Sequence, residues 1–201
     1  VELLPERSEP AALLALLLLT DARRAARVDA AGVVVLLEDQ DRSLWDTAQI
    51  REGLELVEAA LVRGPAGTYA IQAAIAALHA EARTAADTDW PQIASLYSLL
   101  VRRHPSPVVE LNRAVAVAMA DGYAAGLSII DRLIDADVLP GYHWLPSARA
   151  DLLRRLGKFG DAEAAYLQAR ELAGNAADQR FLDRRIAEVR ETLRRGRGEG
   201  S

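Results

Sequence analysis

The sequence predicts an all-α protein, a right-handed α-solenoid of antiparallel helix pairs with one short β-hairpin near its N-terminus. The first observation is composition: 51% of the 201 residues are hydrophobic and only 5% are aromatic, with Ala and Leu, the best helix formers, the most abundant. The second is a succession of helix-length segments whose breaks fall at Gly, Pro or Asp. The third is an internal period, described below, that is typical of stacked helix pairs.

The N-terminal part is atypical. Ser8, Glu9 and Pro10 supply a cap, an acidic first turn and an early proline, so we predict a helix over 9–27. Leucines cover most of its circumference between Leu13 and Leu19, which predicts either a central helix or one whose partner helices lie upstream of Val1. The next segment, 28–37, is rich in valine around Gly32 and predicts the β-hairpin.

The rest of the chain predicts a series of helices with short connections. Asp46 caps the first of them, and Gly64-Pro65 ends it. We predict a division into an atypical part at 1–66, helical repeats with a C-terminal capping helix at 67–195, and a disordered tail at 196–201. The helices are predicted at 47–63, 68–83, 91–103, 107–120, 123–135, 142–156, 161–173 and 175–195.

A repeat supports the solenoid. Three segments place a small residue first and further packing residues four and then seven positions later, with successive first positions 32 and 36 residues apart. These intervals bracket the tetratricopeptide period of about 34 residues. The small residue lets one helix lie close to its partner, and the others fill the gap to the next pair. The three sets are Ala94, Ser98, Val101; Gly126, Ile130, Leu133; and Ala162, Tyr166, Ala169.

Charge and residue usage exclude several functions. The net charge of −5 argues against binding to a phosphate backbone, which depends on clustered cations. The absence of Cys excludes disulfides, thiolate nucleophiles and Cys-based zinc sites, and fits a cytoplasmic protein. The longest apolar run, Ala11 to Leu19, is about half of a membrane span. No catalytic or cofactor-binding motif occurs, so we expect no enzyme activity, no cofactor and no metal.

An acidic segment is the first candidate site. Asp39 and Asp41 flank Gln40 and, with Glu38, could hold a divalent cation or act as an acid–base pair. No glycine provides the sharp turn of a calcium loop. We therefore favour a structural interpretation, an acidic loop held by Arg42 and Trp45.

Two further candidates lie on the predicted repeats. His79 and Glu81, with Asp89 beside Trp90, could form a general base or a sparse metal site. However, His79 and Glu81 are two residues apart on a helix, so their side chains point to different faces of it. A histidine that is hydrogen-bonded within a repeat interface, with Asp89 capping the next helix, is the favoured alternative.

Asn112 and Arg113 form the other candidate. Either they project into a concave binding groove, or Asn112 is buried and Arg113 pairs with Glu110 or Asp121. The sequence favours neither.

Several strings are specific enough to suggest a family. They resemble the bacterial extracytoplasmic-function RNA polymerase sigma factors that have a long C-terminal tetratricopeptide-like extension. The strings are Asp21-Ala-Arg-Arg-Ala-Ala-Arg-Val-Asp29, Leu37-Glu-Asp-Gln-Asp-Arg42 with Trp45-Asp46 behind it, Gln72-Ala-Ala-Ile-Ala-Ala-Leu-His79-Ala-Glu81, Thr88-Asp-Trp90, Leu111-Asn-Arg-Ala-Val-Ala-Val117, Ala148-Arg149-Ala150-Asp-Leu-Leu-Arg-Arg-Leu-Gly157 and Leu172-Ala-Gly-Asn175.

The resemblance implies a regulatory module without the two promoter-recognising domains, beginning partway into the extension. Its expected partners are the sigma core domains in cis and RNA polymerase, in the cytoplasm, with no direct nucleic-acid contact and no membrane. The strings nominate these partner-binding residues: Asp39, Gln40, Asp41, Arg42, Trp45, His79, Glu81, Asp89, Trp90, Asn112 and Arg113.

Two other functions remain open. One is a small-ligand or metal sensor that uses His79, Glu81 and Asp89. The other is a generic scaffold that forms a homodimer through the Leu13 to Leu19 helix.

Overall fold

The computed structural model describes residues 8–62 and 66–198, and in these ranges the chain is helical with no β-strand. All the predicted helices are present, most with both ends within two residues of the prediction. Their bounds are α1 Ser8–Asp21, α2 Thr47–Val62, α3 Thr68–Glu81, α4 Trp90–Arg103, α5 Pro107–Asp121, α6 Tyr123–Asp135, α7 Trp144–Arg155, α8 Phe159–Leu172 and α9 Ala176–Gly198. None of these helices has the length and hydropathy needed to cross a lipid bilayer.

The chain divides into two compact units. Unit 1 comprises Val1–Ala31 and Val35–Pro105, and unit 2 comprises Gly32–Val34 and Ser106–Ser201. The predicted division after residue 66 separates an atypical part from the helical repeats, whereas these two units are defined by compactness. The predicted division stays a prediction. Residues 196–198 of the predicted disordered tail belong to α9, and residues 199–201 lie outside the described ranges.

In unit 1, α1 packs against both α2 and α3, while α4 packs on α3. Small side chains allow the close approach: Ala12, Ala60 and Ala70 are buried together beside Ala66. A second cluster joins Leu19 of α1 to residues of α2 and α3. Burial between two helices explains the leucines around α1. Of those leucines only Leu17 is largely exposed, at 58%, so dimerisation through this helix stays a prediction with little apolar surface to support it.

The first helix is shorter than predicted. It ends at Asp21, and a 3-10 turn at Arg24–Ala26 follows. Two contacts occupy carbonyl groups that a longer helix would use. Asp46 N–H, distant in sequence, donates to the Ala22 carbonyl at 2.9 Å, and the nearby Arg27 guanidinium donates to the Thr20 carbonyl. The arginines and alanines of 22–27 are good helix formers, so tertiary contacts decide this end.

The predicted β-hairpin is wrong. Residues 28–36 form a loop in which Val28 and Val34 make an isolated β-bridge but no strand; Val35 N–H donates to the Arg27 carbonyl at 2.9 Å, and a 3-10 turn at Leu37–Asp39 stands where the second strand was predicted to end. The carbonyls of Gly32 and Val34 accept hydrogen bonds from Arg180 and Arg184 of α9 in unit 2, at 2.9 and 3.2 Å. These carbonyls therefore bind side chains instead of a partner strand. An isolated two-stranded hairpin is only marginally stable in water.

In unit 2, each helix from α5 to α9 packs against the next, and α5 also contacts α7. Gly126 of α6 lies close against α5, where an added Cβ would lie 2.5 Å from the Ala114 carbonyl oxygen. Gly122 joins the two helices at φ 106° and ψ 151°, a conformation that is essentially restricted to glycine. Tyr166 and Ala169 of the predicted repeat are fully buried.

Candidate functional site

The predicted site residues of unit 1 gather around Trp45, which is 5% exposed. Trp45 directly follows a 3-10 turn at Arg42–Leu44. Asp41 caps this turn, since its carboxylate accepts hydrogen bonds from the Ser43 N–H at 2.9 Å and the Ser43 hydroxyl at 2.7 Å. These hydrogen bonds lower the pKa of Asp41. The local turn therefore fixes the backbone positions from which the Trp45 and Arg42 side chains extend.

Arg42 connects this turn to the end of α3. Its Nη1 donates to the carbonyls of His79 and Ala82, at 2.9 and 2.8 Å, and so satisfies carbonyl groups that a helix end leaves without partners. Its guanidinium carbon lies 4.4 Å from the centre of the Trp45 ring, within the range of a cation–π interaction. Burial lowers the pKa of Arg42, and the charge of Asp87 opposes that shift.

His79 lies beside Trp90, with the two ring centres 5.2 Å apart and an edge-on angle of 73°. Burial, with the nearby charges of Arg23 and Arg42, lowers the pKa of His79 to about 4. The imidazole is therefore neutral at pH 7. Its Nδ1 is buried and has no hydrogen-bond partner among the described residues.

Arg23 completes the group, which we call the Trp45 cluster: Arg23, Arg42, Trp45, His79 and Trp90. Arg23 lies in the loop after α1, with its guanidinium carbon 5.8 Å from the centre of the Trp45 ring. Burial and the charges of Arg27 and Arg42 lower its pKa. Within the part of the chain that the structure describes, Arg23 makes no hydrogen bond or ion pair.

The other nominated residues of unit 1 have separate positions. Asp89 caps α4 by accepting from the Gln92 N–H at 2.9 Å, which confirms the favoured alternative for this residue. Gln40 donates to the Val35 carbonyl at 3.3 Å, and Asp39 and Glu81 are exposed. No three His, Asp or Glu side chains in ranges 8–62 and 66–198 are grouped closely enough to hold a metal ion. The described residues therefore offer no support for a metal site at His79, Glu81 and Asp89.

Asn112 and Arg113 belong to unit 2, on α5. Asn112 is exposed, so the expectation of a buried amide is wrong. Arg113 binds both carboxylate oxygens of Glu110, at 2.8 and 2.6 Å, which raises the pKa of Arg113. The structure thus selects the ion pair with Glu110 from the alternatives for Arg113.

Sequence reasoning missed two features. Arg23 lies in one of the strings quoted above but was not nominated, because only its approach to Trp45 distinguishes it from Arg24. In unit 2, His143 Nε2 lies 3.2 Å from a carboxylate oxygen of Asp178, outside hydrogen-bond geometry, and Asn175 donates to that same oxygen at 2.6 Å. The aromatic residues around His143 were the available signal.

Comparison with known proteins gives two similarities. Residues 1–61 match a family of unknown function, DUF6596. The chain is also 45% identical over 182 residues, or 90% of its length, to an uncharacterized protein of Rhizobium meliloti strain 1021. The chain spans 43% of the length of that relative, so more than half of the relative lies outside the match.

Proposed function

We propose that this chain is a regulatory protein-interaction region of an extracytoplasmic-function sigma factor, non-enzymatic and acting in the cytoplasm on the sigma core or RNA polymerase. The observation that carries the proposal is the Trp45 cluster. Its residues Arg42, Trp45, His79 and Trp90 come from three separate strings that resemble the sigma-factor extension, and they are in contact or one contact apart in the folded chain. Because residues from separate strings meet in one cluster, a shared role explains them better than a chance resemblance of each string does.

The arrangement of unit 2 supports a tetratricopeptide-like solenoid as part of this proposal. Consecutive packing of α5 to α9, with a further contact from α5 to α7, is the pattern expected when helix pairs stack one on the next. The small residue Gly126 lies where α6 packs closely against α5. Ile130 and Leu133, at the later positions of the same repeat, are buried.

The coverage of the relative is compatible with the proposal. A protein of which this chain spans 43% has room for two promoter-recognising domains outside the match. The proposed mechanism is a population shift: the module binds one conformation of the sigma core more tightly than another, and so changes the fraction that is competent to bind a promoter.

The test uses the full-length protein with purified RNA polymerase. Deleting the region that corresponds to this chain is expected to change promoter-dependent transcription, while circular dichroism shows that the remaining sigma core is still folded. The 201-residue chain, added back in trans, is expected to bind the truncated protein and to reverse the change.

A folded truncated protein with unaltered transcription would overturn the proposal. So would a full-length protein in which the residues outside the match contain no promoter-recognising domain. A transcriptional change that the added chain does not reverse, together with no binding in trans, would also count against a direct contact.

A further inference from the structure

We propose that Arg23 and Arg42, which share the ring of Trp45, form a binding site for a side-chain carboxylate of an acidic peptide segment. The inference rests on the proposed function, because it names the chemistry that the partner presents to unit 1. The first step is geometric. The two guanidinium carbons lie 5.8 and 4.4 Å from the centre of one indole ring, so both cations lie beside the same buried residue.

The second step concerns hydrogen bonding. Arg42 uses Nη1 for two backbone carbonyls. In the described ranges, its remaining N–H groups and all those of Arg23 have no acceptor, and neither has the buried indole N–H of Trp45. Arg and Trp side chains are donors only, so the region has donors in excess. A carboxylate supplies two acceptor oxygens, in the spacing that an arginine fork matches.

The third step concerns charge. The charges of Arg27 and Arg42 act against the charge of Arg23, and no ion pair relieves Arg23 among the described residues. Asp87 is the carboxylate that acts on Arg42, but the two do not approach within the 4.0 Å of an ion pair. Arg23 therefore has no carboxylate beside it among the described residues and Arg42 has only the more distant Asp87, so a bound carboxylate would add a favourable charge to both.

The surroundings indicate which carboxylate. Asp39, Asp41 and Asp87 are exposed on the segments next to the cluster, and the whole chain carries a charge of −5. An extended polyanion would meet this negative surface and be repelled. A peptide with one or two acidic side chains can place its negative charge at the arginines without bringing further negative charge close to the surrounding carboxylates.

The experiment titrates the 201-residue chain with a peptide that carries two glutamates, Ac-Gly-Gly-Glu-Glu-Gly-Gly-amide, at constant ionic strength. Indole N–H signals are followed by NMR, with the signal of Trp45 assigned from Trp45→Phe. The expected result is a saturable shift of that signal. The same peptide with Gln in place of Glu, and inorganic phosphate, are expected to bind at least about tenfold more weakly, because neither offers a peptide carboxylate.

Matched variants separate binding from folding. Arg24 adjoins Arg23, is exposed and already pairs with Asp21, so Arg24→Gln makes the same change of charge at a paired residue. Arg23→Gln is expected to weaken the glutamate peptide at least about tenfold while the melting temperature stays constant or rises, because an unpaired cation has been removed. Arg24→Gln is expected to change affinity less than about threefold.

Three results would overturn the inference: equal binding of the Glu and Gln peptides, tighter binding of phosphate than of the Glu peptide, or undiminished affinity in Arg23→Gln. A fall in the melting temperature of Arg23→Gln with unchanged affinity would assign Arg23 a structural role instead. The titration does not involve transcription, so it can fail while the deletion experiment succeeds, and the reverse.

Discussion

Arginines in the two units have different partners. In unit 2 several pair with carboxylates, although Arg180 and Arg184 also bind backbone carbonyls. Arg154 and Arg155 both bind Asp151, at 2.6 and 2.7 Å, and Arg149 binds Asp131 at 2.8 Å. These pairs join residues within α7 or between α6 and α7. Burial acts to raise the pKa of Asp151, but the hydrogen bonds and charges of Arg154 and Arg155 outweigh burial, so the pKa is lowered. These arginines therefore contribute to the packing of the unit that contains them.

In unit 1, the arginines of the Trp45 cluster bind backbone carbonyls and an aromatic ring instead. Arg24 is an exception, since it pairs with Asp21 at the surface. A cation that pairs within its own unit has little capacity left for a partner. The difference indicates that unit 2 uses arginine mainly for stability, whereas unit 1 keeps part of its positive charge available.

The largest expected effect is at the centre of the cluster. Trp45→Ala removes a buried indole that packs against two guanidiniums, and we expect it to destabilise the protein by about 3–5 kcal/mol. Trp45→Phe is the control, with an expected cost of about 1–2 kcal/mol, because the indole N–H has no partner within the described ranges and an aromatic ring remains. Urea denaturation measures both. A cost below about 1 kcal/mol for Trp45→Ala would contradict the role given to the ring.

The next effect depends on pH. His79 has a pKa near 6.5 when unfolded and about 4 when folded, so the unfolded chain binds the proton more tightly. Keeping His79 neutral contributes about 3 kcal/mol to the free energy of unfolding. This contribution is present in full above pH 6.5 and is lost as the pH falls toward 4. Urea denaturation of the wild type and of His79→Gln at pH 7.5 and pH 4 isolates it.

The wild type is expected to lose about 3 kcal/mol more than His79→Gln over that interval. The carboxylates that also titrate in this interval affect the stability of both proteins alike, so the difference between the proteins does not include them. Equal losses in both would show that the imidazole is not held neutral by its surroundings.

Unit 2 is tested by its helix contact. Gly126→Ala would place a methyl group 2.5 Å from the Ala114 carbonyl oxygen and 2.9 Å from the Ala118 Cα, so α5 and α6 must separate. We expect a cost of about 2 kcal/mol by thermal or urea unfolding. Gly160→Ala in α8 is the matched control, since a Cβ there meets nothing within 4 Å. It should be neutral or stabilising by up to about 1 kcal/mol, through helix propensity.

The smallest effect concerns a contact between helices in unit 1. Glu9 of α1 accepts hydrogen bonds from the N–H groups of Tyr69 and Ala70, at 3.0 and 3.1 Å, in the first turn of α3. Glu9→Gln keeps the shape but removes the charge that favours a helix N-terminus, so we expect a loss of about 1 kcal/mol. Glu55→Gln, an exposed site on α2, should change stability by less than about 0.5 kcal/mol. Equal effects would contradict the capping role.

Local signals in the sequence were sufficient for most of the fold. Asp89 before Pro91 marked the start of α4, and Gly122 marked the junction of α5 and α6. The errors occurred where distant residues decide the backbone. Asp46 accounts for the early end of α1, and arginines of α9 bind the carbonyls of the segment predicted as a hairpin.

The site was only partly predictable for the same reason. Asp41 and Asp89 cap neighbouring turns, so their roles follow from local sequence. The approach of Arg42 to the end of α3 joins residues 37 and 40 positions apart, which no local pattern specifies. Arg23 and Arg24 are identical in type and adjacent, and only the folded chain shows which of them meets the indole.

The binding of Gly32 and Val34 by Arg180 and Arg184 has a consequence for dividing the protein. A single cut after Pro105 would leave unit 2 without three of its own residues, because they come from the N-terminal half of the chain. Expression of residues 106–198 alone would remove the two backbone carbonyls that these guanidiniums bind. Because the arginines recognise main-chain oxygens, a short peptide supplied separately would need the right backbone shape more than any particular side chains to take that place.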